Sequence, residues 1–216
     1  MLKIVVFDSG FGGELFADYL EEELPIVEII RVIDWRHANE LQDDQHSARK
    51  VAEEALAPYI GKVDMIVFAN YLLTVTSLRY FRKKYATQNF TGLNLYLEDS
   101  RGGTSTVVLT TRALARTTKY HHYAHRIKAK TVVLNDWPLL IDDGELSHEK
   151  FCLDLLPSKL NYAPSKLILA LGQLRELEPK LREFYGYNVK IIDHFDDTFR
   201  EICHTLKIKG GIKKKK

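Results

Sequence analysis

The chain is poor in sulfur, with two cysteines, Cys152 and Cys203, and two methionines in 216 residues. Two thiols are too few for a disulfide framework or a four-thiolate metal centre, and they suit a reducing compartment such as the cytoplasm. Long apolar runs are missing as well: none approaches the ~18 residues that a membrane-crossing helix needs. The opening, MLKIVVFDSG, has one lysine and a short apolar stretch, which reads as a strand and not a secretory leader. A basic body is also lacking. The net charge is +2, but six lysines at 207, 209 and 213–216 supply more than all of it, and without them the remainder carries −4. That argues against a nucleic-acid-binding surface on the folded part and leaves the lysine tail as a solvated end.

What is present is ordinary globular material: 45% hydrophobic and 28% charged residues, enough for a core and too apolar for extended disorder. Short, continuous, β-rich apolar runs recur at 3–9, 27–34, 64–70, 93–99, 105–111, 130–136, 166–172 and 189–193, as expected of strands covered on both faces. Segments of helical spacing lie between them, at 13–24, 43–60, 72–85, 112–125, 147–160, 174–185 and 195–206. Strands alternating with helices predict an α/β fold with doubly wound parallel sheets. Residues 62–85 echo residues 164–185: each has an apolar strand, a short polar turn and a helix. The echo predicts two similar lobes with a cleft between them, 1–92 with 194–216 forming the first and 93–193 the second. The polar, glycine-containing segment 87–92 is the expected crossover.

In open α/β sheets, ligands bind beyond the carboxyl ends of the strands. Those ends carry Asp8, Ser9, Asp34, Asn70, Thr110, Thr111, Asp136 and Gln173. Carboxylates and hydroxyls placed before helix N-termini suit a small zwitterion, with Asp8 for an ammonium and backbone N–H groups for carboxylates. For Asp34 and Asp136 a simple helix-capping role is the first expectation. Asp8 stands apart because Ser9-Gly10-Phe11-Gly12-Gly13 follows it, and these glycines let backbone approach a ligand. The spacing matches neither the dinucleotide fingerprint nor the P-loop.

IVVFDSGFGG resembles the opening of glutamate racemases, in the aspartate/glutamate racemase superfamily, which reads about I-G-V-F-D-S-G-V-G-G. DMIVFANYLLTVTSL is similar to the segment with the first catalytic cysteine, L-V-V-A-C-N-T-A-S, and LILALGQLRELEPKL to the second, L-I-L-G-C-T-H-Y-P-L-L-K-P. Residues 137–146, WPLLIDDGEL, resemble the segment that supplies an assisting glutamate. The resemblance implies two α/β lobes, a small amino or dicarboxylic acid as ligand, and cofactor-independent chemistry in which two cysteines exchange the α-proton from opposite faces. Here those cysteine positions hold Ala69 and Leu171, and the histidine beyond the second is Gln173. Asp8, Ser9, Asn70 and Thr110 are kept, and Asp142 falls near the assisting glutamate. Neither alanine nor leucine carries a proton, and each lost acid/base group costs about 100- to 10,000-fold. The expectation is a ligand-binding homologue, a pseudoenzyme of isomerase type, with Ser9, Asn70, Thr110 and Gln173 contacting the ligand. The alternative is a working isomerase on small carboxylic or amino acids that uses Asp8, Asp142 or water in place of thiols.

Other patterns are weaker. A haloacid-dehalogenase-type phosphatase needs D-x-D after its first strand, and this chain has Gly10 two residues after Asp8. His121, His122 and His125 form H-H-x-x-H without the glutamate of a zinc protease, so no metal site is expected. The pairs Asp43-Asp44, Asp142-Asp143 and Asp196-Asp197 read as caps or solvated turns. The helix at 72–85 reads as an amphipathic surface that could serve a homodimer, and both cysteines read as core residues.

Overall fold

The computed structural model describes residues 1–38, 45–95, 105–134 and 156–208. The chain divides into two compact units, Met1–Asn94 with His194–Lys216, and Leu95–Asp193. Each contains a four-stranded, all-parallel sheet.

The first sheet has β1 (Lys3–Asp8), β2 (Glu28–Ile33), β3 (Met65–Phe68) and β4 (Asn89–Gly92) in the order β2-β1-β3-β4. The second has β5 (Thr106–Thr110), β6 (Lys130–Val133), β7 (Lys166–Leu169) and β8 (Lys190–Ile192) in the order β6-β5-β7-β8. Each unit therefore lays down its strands in the same sequence: first strand central, second on one side, third and fourth on the other. The repeated 62–85 and 164–185 segments occupy the same place in the two sheets. The central strands are the most apolar: β3 and β5 are buried throughout, and in β1 only Lys3 is partly exposed. Edge strand β2 is half-buried along most of its length.

In the first unit, α1 (Phe11–Glu23), α2 (Gln45–Leu56) and α3 (Tyr71–Lys84) follow β1, β2 and β3. Val5, Phe7, Ile66, Phe68 and Phe90 form a core with Ala48, Ala52 and Leu56 of α2 and Leu73 and Phe81 of α3. The last helix, α8 (Phe195–Leu206), packs on the first unit: Phe195 meets Phe16 edge-on at 4.8 Å, and Tyr19 donates to Asp196 at 2.7 Å. Burial of these rings explains why a segment distant in sequence completes this unit.

The second unit holds α4 (Arg112–Ala115), α5 (Thr118–Arg126), α6 (Leu156–Lys159), a 3-10 turn (Gly172–Leu177) and α7 (Glu178–Tyr185). Its core joins Val107, Leu109, Val132, Leu167 and Leu169 to Leu174, Leu177 and Leu181.

Three expectations need correction. The helix expected at 112–125 is two helices, because the Thr117 side chain accepts from Tyr120 N–H and so caps a new one. The helix expected at 174–185 begins as the 3-10 turn, and the α-helix proper starts only where Pro179 can occupy its first turn. The segment 87–92, expected as a crossover, contains edge strand β4, and no strand is assigned at 93–95. Gly92 serves close approach there, not a turn: a Cβ would lie 2.3 Å from Thr74 Oγ1 and 2.7 Å from the Phe68 carbonyl oxygen. No helix among the described residues is long and apolar enough to cross a membrane.

Candidate functional site

Both sheets reverse strand order between their first and third strands, so the carboxyl ends of β1 and β3, and of β5 and β7, are the switch points where α/β sheets take ligands. In the first unit this edge carries Asp8, Ser9, Ala69 and Asn70, all 9% exposed or less. Asn70 joins the two strand ends. Its amide Nδ2 donates to Asp8 Oδ1 at 3.1 Å, and its Oδ1 accepts from Leu73 N–H at 2.9 Å, capping α3. Thr74 Oγ1 donates to the Asn70 carbonyl at 2.8 Å and holds the turn. Asp8 thus has a fixed carboxylate at the floor of this edge.

Among the described residues Ser9 Oγ is buried with no hydrogen-bond partner, and Gly10, the N-cap of α1, supplies no side chain to that helix. A buried, unanswered hydroxyl is uncommon in folded proteins and marks a place where water or a ligand completes the bonding. Thr110 Oγ1, at the end of β5, is buried and unpartnered in the same way. The neighbouring Thr111 is occupied, accepting from Leu114 N–H to cap α4. Gln173 is buried in the 3-10 turn after β7. The structure thus brings Asp8 and Asn70 into direct contact, puts Ser9 at the same edge, and sets Thr110 and Gln173 at the corresponding edge of the second sheet. Asp136, Asp142, Asp143, Asp43, Asp44, Cys152 and the tail at 209–216 lie outside the described residues.

The strand register relates the two units at Ala69 and at Ala170-Leu171. Ala69 N–H donates to the Phe7 carbonyl, and Ala170 N–H donates to the Leu109 carbonyl, both at 2.9 Å. Phe7 pairs with Phe68 as Leu109 pairs with Leu169. Ala69 is therefore matched by Ala170, while Leu171, an N-cap without a capping side chain, matches Asn70. Leu171 packs into the core of the second unit. None of these three residues carries sulfur.

Cys203 is half-buried in α8 rather than a full core residue. Burial, and then the Glu23 carboxylate, push its thiol up from the ordinary range, so it is held in the unreactive protonated form. His121, His122 and His125 are exposed along α5, and no cluster of three or more metal-ligating side chains exists among the described residues. Asp196 and Asp197 are the acidic first turn of α8, and Asp197 pairs with Arg200 at 2.6 Å. On α3, Tyr80 lies under the Arg49 guanidinium at 4.6 Å, and Lys84 bonds Glu53 at 2.6 Å, so much of its polar face is engaged by α2.

Sequence reasoning missed three residues. Tyr71, directly after Asn70, places its hydroxyl 3.3 Å from Nδ1 of the buried His194, whose φ of 60° is unusual for a residue with a side chain. His37 lies 2.7 Å from Asp34, a contact that the D-x-x-H spacing in DWRH could have suggested.

No protein-family model matches the sequence, and no curated protein matches it. Solved structures do match the fold. Glutamate racemase from Campylobacter jejuni superposes with a TM-score of 0.76 at 22% identity, over 100% of this chain and 89% of the other. Escherichia coli glutamate racemase, in complex with L-glutamate and an activator, gives 0.80 at 16% identity over 97% and 84%. An aspartate racemase homologue from Pyrococcus horikoshii gives 0.56 at 14% over 96% and 100%. The chain shares the α/β fold of these glutamate racemases and of the aspartate racemase homologue.

Proposed function

We propose that this protein binds a small dicarboxylic or amino acid at the carboxyl edges of its sheets and does not perform two-thiol racemisation. One observation carries the reading: a buried Asp8 carboxylate held by Asn70, beside a buried Ser9 hydroxyl with no partner of its own. Asp8 answers a ligand ammonium. The Ser9 hydroxyl and the open first turn of α1 answer a carboxylate. Thr110 and Gln173 are the corresponding candidates at the edge of the second sheet, and Asp142 remains a candidate proton carrier. The E. coli neighbour was solved with L-glutamate, which supports the ligand class. With alanine at 69 and 170 and leucine at 171, the proton carriers of the racemase reaction are replaced by groups that hold no proton. The reading takes the protein as cytoplasmic, working without a cofactor and able to form a homodimer.

The test is binding followed by turnover. L- and D-glutamate, L- and D-aspartate and succinate are titrated by calorimetry, then each amino acid is incubated and resolved by chiral chromatography. At least one dicarboxylate should bind, Asp8→Asn should abolish its binding, and racemisation should stay at the no-protein rate. Absence of binding by all five would overturn the reading.

A further inference from the structure

At the end of β2, one strand from Asp8, Asp34 does not serve as the side-chain cap its position suggests. No N–H of the following turn (Trp35–His37) bonds its carboxylate. Instead Asp34 Oδ2 lies 2.7 Å from His37 Nδ1, with the Asp34 side chain 11% exposed and that of His37 41% exposed. Among the described residues the other carboxylate oxygen, Oδ1, is buried without a hydrogen bond, and the Arg36 guanidinium lies 3.9 Å from it on an almost fully exposed side chain. The imidazole is thus the one hydrogen-bond donor this carboxylate has among the described residues. An ionised carboxylate only accepts, so in the neutral imidazole the Asp34 contact selects the tautomer with its proton on Nδ1 and its lone pair on Nε2, pointing away from Asp34. No described residue bonds Nε2. The dyad is tied to the candidate site through the backbone, because Asp34 N–H donates to the Asp8 carbonyl at 2.9 Å. A basic nitrogen, an orienting carboxylate behind it and partial access to solvent are the parts of a general base.

We infer that His37 is the catalytic base of a one-base proton exchange on the α-carbon of a small amino acid bound beside Asp8, with Asp34 as its positioning residue. The inference rests on the ligand reading above and supplies the acid/base group that Ala69 and Leu171 cannot. The Nε2 lone pair takes the α-proton, and the electron pair of the broken C–H bond stays on the substrate, delocalised into the adjoining carboxylate. The Asp34 carboxylate balances the imidazolium so formed. The imidazolium exchanges its proton with solvent and returns one to the same face. With a base on one face only, the α-hydrogen is replaced by solvent hydrogen while the configuration is kept.

The experiment follows L-glutamate and L-aspartate in D2O by proton NMR and chiral chromatography, with binding measured on the same samples by calorimetry. The expected result is loss of the α-proton signal without formation of the D-isomer. His37→Gln should lower the exchange rate about 100- to 10,000-fold with binding and melting temperature kept. Asp34→Asn should lower it about 10- to 100-fold. A long-range proton–nitrogen spectrum of the free protein should show His37 protonated on Nδ1, and this preference should be lost in Asp34→Asn, a change that a purely structural role for Asp34 would not require. Binding without exchange, exchange unaltered by His37→Gln, or a proton on Nε2 in the free protein would each overturn the dyad alone. Failure of the wild-type protein to bind either amino acid would instead remove the ligand reading beneath it.

Discussion

Gly13 has no room for a side chain because Asp8 occupies the space: a Cβ on Gly13 would lie 2.5 Å from Asp8 Cβ and 2.7 Å from Ile33 Cδ1. The glycine after the first strand therefore sets where the carboxylate sits. Alanine would gain about 1 kcal/mol of helix propensity in α1, but the overlap falls on a side chain held by Asn70, and overpacking typically costs about 1–3 kcal/mol. Gly13→Ala should lower stability by up to about 2 kcal/mol in urea denaturation and weaken dicarboxylate binding through displacement of Asp8. A variant of unchanged stability and affinity would show that Asp8 moves freely.

Asn70 has two duties that substitution can separate. Asn70→Ala removes both the cap on α3 and the bond to Asp8, and the cap alone is worth about 1 kcal/mol. Asn70→Ser restores a capping oxygen on a side chain too short to reach Asp8. Serine should recover about 1 kcal/mol of thermal stability over alanine, and neither variant should bind ligand as the wild type does. Full binding by Asn70→Ser would exclude the amide from the site.

Ser9 predicts opposite effects on the free and bound protein. Removing a buried hydroxyl that has no partner relieves a desolvation cost, so Ser9→Ala should melt at the same temperature or higher without ligand. With a carboxylate ligand the same variant forgoes a charge-assisted bond worth about 1.5–3 kcal/mol, at least tenfold in affinity. Thr110→Val should behave likewise at the second sheet. Parallel losses in both states would mean that these hydroxyls are structural.

Tyr120 gives a pH dependence of known sign. Burial pushes its phenol up to about 12, opposed by the hydrogen bond with Thr131. Between pH ~10, where an unfolded tyrosine loses its proton, and the folded value, the native state holds a proton that the unfolded chain releases. The contribution is complete below pH ~10 and is lost as pH rises toward 12, by about 2–3 kcal/mol. Urea midpoints of wild type and Tyr120→Phe, measured from pH 7 to 12, should cross above pH 10 and leave the phenylalanine variant the more stable by about 1–2 kcal/mol at pH 12. The phenylalanine variant should be about 1 kcal/mol weaker near neutrality, for the lost hydrogen bond.

The parallel α/β class was legible because IVVF, MIVF, TVVL and LIL are continuous apolar runs, which only strands covered on both faces tolerate. Helix α8 was legible to the residue from its apolar spacing. Strand β4 was not: NFTG contains a glycine and little apolar length, and it is a strand because β3 offers it a hydrogen-bonding edge and Thr74 leaves space only for Gly92. The start of α7 was misjudged because apolar spacing is continuous through the 3-10 turn, and only Pro179 marks the change.

The amino-acid order by itself determined the strand ends and therefore the candidates found there: Asp8, Ser9, Asn70, Thr110 and Gln173, and no sulfur at 69, 170 or 171. Those are properties of composition and local period, which need no partner to be read. Tertiary structure decided which of them meet. It joined Asn70 to Asp8 across 62 residues, matched Ala69 with Ala170 rather than Leu171, and turned Asp34 from a cap into the partner of His37. The physical reason is that strand register and hydrogen-bond direction are fixed by pairing between distant segments, and a chain carries no local record of which neighbour its backbone will face.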